Sequence, residues 1–188
     1  MIDIPTRLPG ELVGERVLLR RWEAADVAVV AAAVTRNIEH LRPWMPWIAH
    51  EPLADEARAA LFDSWEQSYR AGGDAIYGVF LDGHAIGGTG LHKRRGPHGL
   101  EIGYWIDQEH TNQGIATEVA RMLTSAALAV PGVTFVEIHH DKANIASSRV
   151  PQKLGYEFVA ETQDEVTSPG EVGIDCGWRM DAANWPIE

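Results

Sequence analysis

Residues 99–140 change their hydrophobic period twice, and this change constrains the fold more than any other feature of the chain. The run GLEIGYWID is typical of a strand, whereas from Gly114 onward apolar residues recur at spacings of three and four, as on one face of a helix. A proline and a glycine end this helix at residues 131–132, and VTFVEIHH is a second strand-like run. A strand, a helix and a strand in succession form a crossover unit, so residues 100–107 and 133–139 are predicted to run parallel in one sheet.

The segments before this unit predict one strand, two helices and a set of hairpins. The strand covers residues 15–22, the first helix residues 24–34, and the second helix falls within residues 53–73. The inner stripe of the second helix is expected at Ala57, Leu61, Trp65 and Ser68. The runs AIYGVFL, HAIGGTGLHK and GLEIGYWID are separated by the turns DG and RRGPHG, which favours antiparallel pairing.

The segments after the crossover unit complete the fold prediction. A short helix is expected to begin at Asn144 and to end at Gly155, and YEFVAETQ and GIDCGWRM are late strands. We therefore expect one domain over residues 1–188. Its fold class is α/β, with a single mixed sheet that is mostly antiparallel, contains one parallel strand pair and is flanked by about four helices.

Composition narrows the range of partners. The chain has 16 Lys and Arg against 27 Asp and Glu, a net charge of −11, which argues against nucleic-acid binding. No apolar run approaches the roughly 20 residues that cross a membrane, and no secretory signal is recognisable. With Cys176 as its one cysteine, the chain is expected in the cytoplasm, with that thiol packed in the interior. The basic cluster HKRR is expected at a hairpin tip, or at a contact with a small anion or another subunit, and the chain is expected to be a monomer or a homodimer.

The glycine at residue 114 suggests a reason for the polar loop HTNQG before the helix. The first four N–H groups of a helix have no backbone partner and lie at its positive end, where a phosphate can bind. A glycine there lets a ligand approach the backbone where a Cβ would intrude. A purely structural turn is the alternative interpretation.

Two longer stretches resemble a known family. The run IGYWIDQEHTNQGIATEVA, followed by NIASSRVPQKLGYEF, resembles the GNAT superfamily of acyl-CoA-dependent N-acetyltransferases. The segment LRPWMPW resembles the Rim-type (RimJ/RimL-like) branch, which acetylates N-terminal α-amines. The resemblance covers residues 15–180 and implies direct acetyl transfer from acetyl-CoA to a primary amine, with no metal.

The resemblance also implies where acetyl-CoA binds. The pantetheine arm is expected beside the exit of the GYWID strand, in a splayed part of the sheet, with backbone hydrogen bonds from residues 105–107. The pyrophosphate is expected at the loop and the helix start, and the side chain of Asn144 at the cofactor, in addition to capping its helix. The implied cofactor-binding residues are Trp105, Ile106, Asp107, Thr111, Asn112, Gln113, Gly114, Ile115, Ala116, Thr117 and Asn144.

Two positions depart from the superfamily pattern. Thr111 stands where the loop usually begins with Gln or Arg. Because the backbone amides are expected to do most of the pyrophosphate binding, the site is expected to survive with weaker affinity. Pro151 stands where many members carry a tyrosine that assists the leaving thiolate. Ser147 is the implied substitute, unless it is only a polar residue of the first helical turn. Pro151 also predicts that the helix bends or begins afresh near Ser147, because proline lacks an N–H for the carbonyl four residues back.

Direct transfer needs a neutral amine and therefore favours a base. At pH 7 a lysine of pKa ~10.4 is roughly 0.04% neutral, whereas an α-amine of pKa ~7.8 is roughly 14% neutral. A carboxylate within reach could take the proton. The candidates are Glu101, on the strand that enters the cofactor site, and Glu165, near the place where the Rim-type branch carries a glutamate. Asp164 could hold that place instead, and either glutamate could equally be a solvated surface residue.

The remaining candidates concern the acceptor and the rival functions. Trp44 and Trp47 lie in a proline-stiffened segment, where one is expected to fill the core and the other to wall the acceptor pocket. The histidines are not spaced as metal ligands, and Tyr156 is expected to pack in the core.

The acceptor is expected to be a protein N-terminus or a small-molecule amine. The alternative function is a non-catalytic acyl-CoA-binding sensor or scaffold, which the departures at Thr111 and Pro151 favour.

Overall fold

A single mixed sheet organises the computed structural model, which describes residues 8–186. In that part of the chain the eight strands lie in the order β1-β2-β3-β4-β5-β6-β8-β7, and β5 and β6 are the parallel pair. The strands are β1 (Glu11–Val13), β2 (Val17–Arg21), β3 (Ala75–Leu81), β4 (His84–His92), β5 (Gly99–Ile106), β6 (Phe135–Asp141), β7 (Glu157–Gln163) and β8 (Ile174–Asp181). The predicted fold class and its parallel pair are confirmed.

Helices cover both faces of the sheet. They are α1 (Val27–Leu41), α2 (Asp55–Arg70), α3 (Ile115–Leu128) and α4 (Ile145–Lys153), with short 3₁₀ turns at Ala24–Asp26, Pro46–His50 and Gln108–His110. Because side chains alternate along a strand, Leu18 packs with the α1 and α2 cluster, while Leu19 belongs to the cluster around α3. Across residues 8–186, none of the helices is long and apolar enough to cross a membrane.

Two helices differ from the expectation in detail. Helix α1 runs past residue 34, because the polar Asn37 is buried with partners: its Nδ2 donates to the Ala33 carbonyl at 2.8 Å and its Oδ1 accepts the Gln108 N–H at 2.8 Å. In α2 the buried residues are Arg58 and Phe62 rather than the predicted stripe that begins at Ala57. The stripe shifts by one position because Phe62 stacks on Trp22, with ring centroids 5.7 Å apart.

Helix α4 continues through its proline. No fresh start is found at Pro151, because α4 is one helix from Ile145 to Lys153, and the expected bend stays a prediction. Pro151 lies in the last turn, so the helix loses a single backbone hydrogen bond, to the Ser147 carbonyl. The hydroxyl of Tyr104 lies 3.3 Å from that carbonyl and gives it a donor.

The parallel pairing of β5 and β6 is short. It joins four residue pairs, from Gly99 with Phe135 to Ile102 with Ile138. Strand β5 continues to Ile106 and stays paired with β4 on its other edge. The two strands therefore part after Ile102, and the second half of β5 has no strand partner on that side.

Candidate active site

A cleft of about 1080 Å³ opens where β5 and β6 part. Neighbouring residues of β5 face opposite sides of the sheet, yet Tyr104 and Trp105 both line this cleft. The opening between the strands therefore connects the two faces. The structure brings seven of the predicted site residues to its lining: Trp44, Trp47, Glu101, Trp105, Asn144, Ser147 and Glu165.

The predicted phosphate loop has the expected backbone. Gly114 is the N-cap of α3 and has a φ of 81°, in the left-handed region that favours glycine. The first hydrogen bond of the helix runs from the Glu118 N–H to the Gly114 carbonyl at 3.0 Å. Within the described residues, the N–H groups of residues 112–117 have no hydrogen-bond acceptor, so the loop presents a row of free donors.

The guanidinium group of Arg16 lies beside this loop, although no sequence pattern indicates that contact. Nη1 of Arg16 donates to the Gln113 carbonyl at 2.8 Å, and its Nε donates to Glu118 Oε2 at 2.8 Å. Its Nη2 is 3.6 Å from the position that a Cβ on Gly114 would occupy. Thr111, in contrast, uses its hydroxyl within its own turn, on the Gln108 carbonyl at 2.9 Å. The positive charge absent at Thr111 is thus present on Arg16, 95 positions earlier in the chain.

The backbone groups of β5 point to opposite edges of the strand at alternating residues. The N–H of Asp107 donates to the Ile86 carbonyl at 2.7 Å, and the carbonyl of Asp107 accepts the His110 N–H at 2.8 Å. Because hydrogen-bonding direction alternates along a strand, the backbone of Trp105 also points to β4. Tyr104 and Ile106 direct their backbone groups toward the opening, and the cofactor contacts expected at residues 105–107 stay a prediction.

Ser147 lies at the start of α4, close to β5. Oδ1 of Asn144 caps the helix by accepting the Ser147 N–H at 3.1 Å, as predicted, and Nδ2 of Asn144 has no acceptor among the described residues. Oγ of Ser147 is 3.1 Å from the hydroxyl of Tyr104. Burial raises the pKa of Tyr104 to about 12, although the hydrogen bond with Ser147 opposes this shift. The Tyr104 hydroxyl is therefore protonated at neutral pH.

Glu101 is buried and doubly paired. Nε of Arg94 donates to its Oε1 at 2.9 Å, and Nε of Arg95 donates to its Oε2 at 2.5 Å. Burial alone would raise the pKa of Glu101, but the two arginines hold it below its usual value. A carboxylate with both oxygens paired and a depressed pKa is a poor proton acceptor.

Glu165 has different surroundings, in the exposed segment between β7 and β8. Its carboxylate has no hydrogen-bond or ion-pair partner among the described residues, and its N–H donates to Asp164 Oδ1 at 2.8 Å. Asp164 also lines the cleft. Both carboxylates therefore reach the same space, and Glu165 is the one whose oxygens are free.

Two anchors hold this segment in place. Oδ2 of Asp141, at the end of β6, accepts the N–H groups of Val172, Gly173 and Ile174 at 3.0, 2.9 and 3.2 Å. The Gly170 N–H donates to the Pro43 carbonyl at 3.0 Å. The second contact joins the segment to the proline-stiffened stretch that contains Trp44.

Aromatic rings form one wall of the cleft. The rings of Trp47 and Trp105 are 6.2 Å apart at 54°, and Trp44 lines the same space. Trp105 can lie flat over β4 because Gly88 has no side chain: a Cβ there would be 2.6 Å from its Nε1. Trp47 is partly exposed and Trp44 is half-buried, so both reach the cleft rather than one filling the core.

His139 is a further titratable group. The sequence pattern indicates no role for it, since the histidines are not spaced as metal ligands. Its Nδ1 is 2.7 Å from Asp175 Oδ2, and its Nε2 is 3.1 Å from Glu137 Oε2. Burial alone would lower the pKa of His139, but these two carboxylates raise it overall, while Arg95 opposes them. Among the described residues, no group of three or more His, Cys, Asp or Glu is arranged to hold a metal ion.

Comparisons with known proteins agree with this geometry. The sequence profile of the acetyltransferase (GNAT) domain matches residues 16–157. The Bacillus subtilis protein named "Putative ribosomal N-acetyltransferase YdaF" is 28% identical over 145 residues, which is 77% of this chain and 79% of that protein.

Two solved structures share the fold. RimL, the ribosomal L7/L12 alpha-N-protein acetyltransferase, solved with coenzyme A, has a TM-score of 0.81 at 16% identity, over 93% of this chain and 97% of its own. Mycobacterium smegmatis RimJ, solved with CoA-disulfide, has a TM-score of 0.80 at 20% identity, over 95% of this chain and 89% of its own. Since the family profile spans well over half of the sequence, the chain belongs to the GNAT acetyltransferase family and is an acetyl-CoA-dependent N-acetyltransferase.

Proposed function

We propose that the chain acetylates a primary α-amine, either the N-terminus of a protein or a small molecule with an amine of similar pKa. The observation that carries the proposal is the single cleft, which reaches from Ser147 at the parting of the strands to Glu165 under the tryptophan wall. Because Trp44 and Trp47 line the same cleft as Glu165, we place the acceptor beside these tryptophans, with its amine on the side of Glu165. The names of the relatives, among them an alpha-N-protein acetyltransferase, support the same acceptor class.

The residues present fit acetyl-CoA. The free N–H groups of residues 112–117 suit its pyrophosphate, and Arg16 adds a positive charge at the same loop. The backbone groups of Tyr104 and Ile106 would pair with the pantetheine arm along the open edge of β5. Nδ2 of Asn144 is a further donor at the N-terminus of α4. When bound, acetyl-CoA supplies the thioester that the amine attacks.

Glu165 is proposed as the group that takes the proton of the amine. Its carboxylate is free, whereas Glu101 is held by Arg94 and Arg95. We assign Glu101 to the floor of the cleft, where it keeps the two arginines in place. Because an α-amine is already roughly 14% neutral at pH 7, a free carboxylate is sufficient for the deprotonation.

Ser147 is proposed to assist the leaving sulfur with a hydrogen bond from its hydroxyl. The serine lies at the N-terminus of α4, where the helix dipole favours a developing negative charge. The cap by Asn144 fixes the first turn of the helix, and therefore fixes the position of the Ser147 side chain relative to β5.

Mass spectrometry of an acceptor panel tests the proposal. The panel contains peptides with free N-termini, the same peptides with a blocked N-terminus and an internal lysine, and small amines, each incubated with acetyl-CoA. We expect acetylation of the free N-termini or of small amines, and much slower acetylation of the blocked peptides. A clear preference for lysine side chains would overturn the proposed acceptor class. Coenzyme A release without an acetylated product would show only hydrolysis.

A further inference from the structure

The proline of α4 leaves one carbonyl without its helical donor. In an α-helix the N–H of each residue donates to the carbonyl four residues before it, and Pro151 has no N–H. The carbonyl concerned belongs to Ser147, the residue proposed to assist the leaving sulfur. The hydroxyl of Tyr104 lies 3.3 Å from that carbonyl oxygen and 3.1 Å from Oγ of the same serine.

Tyr104 is held firmly enough to orient this serine. It lies on β5 beyond the last parallel pair, is paired with Thr89 of β4, and packs against the hydrophobic cluster around α3. The Tyr104 hydroxyl is protonated at neutral pH, so it always has a hydrogen to donate. The two oxygens within reach of its one hydrogen belong to the same residue, and that residue is itself fixed by the Asn144 cap.

We propose that Tyr104 is a positioning residue that directs the hydroxyl hydrogen of Ser147 into the cleft. Tyr104 has one hydrogen to donate, and Oγ of Ser147 at 3.1 Å is nearer to its hydroxyl than the Ser147 carbonyl at 3.3 Å. When Tyr104 donates to Oγ, the serine's own hydrogen is directed away from the tyrosine and into the cleft that both residues line. The inference rests on the proposed role of Ser147 and extends it to a residue on another element.

Steady-state kinetics of Tyr104→Phe test the proposal. We expect kcat to fall about tenfold, roughly the effect of one hydrogen bond to a reacting hydroxyl, with the KM for acetyl-CoA unchanged within a factor of two. The matched control is Tyr156→Phe. Tyr156 is also a buried tyrosine bonded to a hydroxyl, that of Thr124 at 2.6 Å, but it lies outside the cleft. Its kcat should equal that of the wild type, and an equal loss in both variants would contradict the proposal.

A double-mutant cycle separates this inference from the function on which it rests. We expect Ser147→Ala to lower kcat by roughly 10²-fold, and Tyr104→Phe to have no further effect in that background. Unchanged kcat in Ser147→Ala would remove the role of Ser147 and this proposal with it. A loss in Ser147→Ala without a loss in Tyr104→Phe would overturn the present inference alone. Multiplicative losses would assign Tyr104 an independent role and also overturn it.

Pro151→Ala distinguishes positioning from plain structural support. Alanine restores the N–H for the Ser147 carbonyl, so it should recover any melting temperature that Tyr104→Phe loses. It cannot orient the serine side chain, so kcat of Tyr104→Phe/Pro151→Ala should stay low. Recovery of kcat together with the melting temperature would show that Tyr104 only satisfies the carbonyl, and the proposal would be wrong.

Discussion

At the scale of single residues, the two candidate glutamates show how surroundings decide a role. Glu101 is on a regular strand, where its place in the sheet could be predicted, but its partners Arg94 and Arg95 come from the preceding turn. No periodicity in the sequence indicates that both arginines fold back onto one carboxylate. Glu165 lies in an irregular segment, which Asp141 anchors at Gly173, a contact that no sequence pattern indicates.

Glu165→Gln tests the assignment of the base. Glutamine keeps the size of the side chain and removes its ability to accept the amine proton, so kcat/KM for the acceptor should fall by about 10²-fold or more. Glu161→Gln is the matched control, because Glu161 is an exposed glutamate on β7 that pairs with Lys142. Equal rates for both variants would contradict the assignment and leave Asp164 as the candidate.

His139 should titrate above the value of a free histidine. Asp175 and Glu137 favour its charged form against burial and Arg95, so its folded pKa lies above the unfolded value of about 6.5. The stabilisation is therefore complete below that unfolded value and is lost as pH rises through the folded pKa. We expect NMR titration of the His139 ring to show this raised pKa, and Asp175→Asn to lower it. A pKa at or below 6.5 in the wild type would contradict the structure.

At the scale of elements, turns and helix starts that depend on neighbouring residues could be predicted, whereas side-chain contacts between residues far apart in the sequence could not. The DG turn between β3 and β4 has positive φ at both Asp82 and Gly83, as a tight hairpin requires, and it is readable from the sequence. The start of α3 at Gly114 is likewise local. Arg16 and Arg58 could not be predicted, because the first meets its loop across 97 positions and the second is a charged residue buried against Glu51.

Gly114→Trp tests the phosphate loop. A side chain at this position would stand among the free N–H groups and beside Arg16, so the Kd of acetyl-CoA should rise by at least about tenfold. Gly132→Trp is the control, since Gly132 also has positive φ, has open space around it, and lies beyond the other end of α3. Isothermal titration of both variants gives the comparison. Wild-type affinity in Gly114→Trp would refute the loop assignment.

At the scale of the whole molecule, the sheet is two blocks joined at a narrow seam. Strands β1 to β5 form one antiparallel block, β6 to β8 form the other, and four residue pairs connect them. An ion pair reinforces the seam, with Nε of Arg95 3.5 Å from Glu137 Oε2. The fold class and the parallel pair followed from the succession of elements in the sequence. No residue pattern indicates the order β6-β8-β7, or the point at which β6 turns away and ends the seam.

The short seam has a consequence for the order of events in turnover. Until the open edge of β5 is occupied, the acceptor cleft continues through the sheet and lacks a wall on the side where transfer takes place. Acetyl-CoA should therefore enter first and complete the pocket, and the acceptor second. Product-inhibition patterns should show compulsory-order addition, and an acceptor peptide should bind measurably only when coenzyme A is present. Tight binding of the peptide to the free protein would indicate random addition. It would also show that the acceptor pocket is complete without acetyl-CoA.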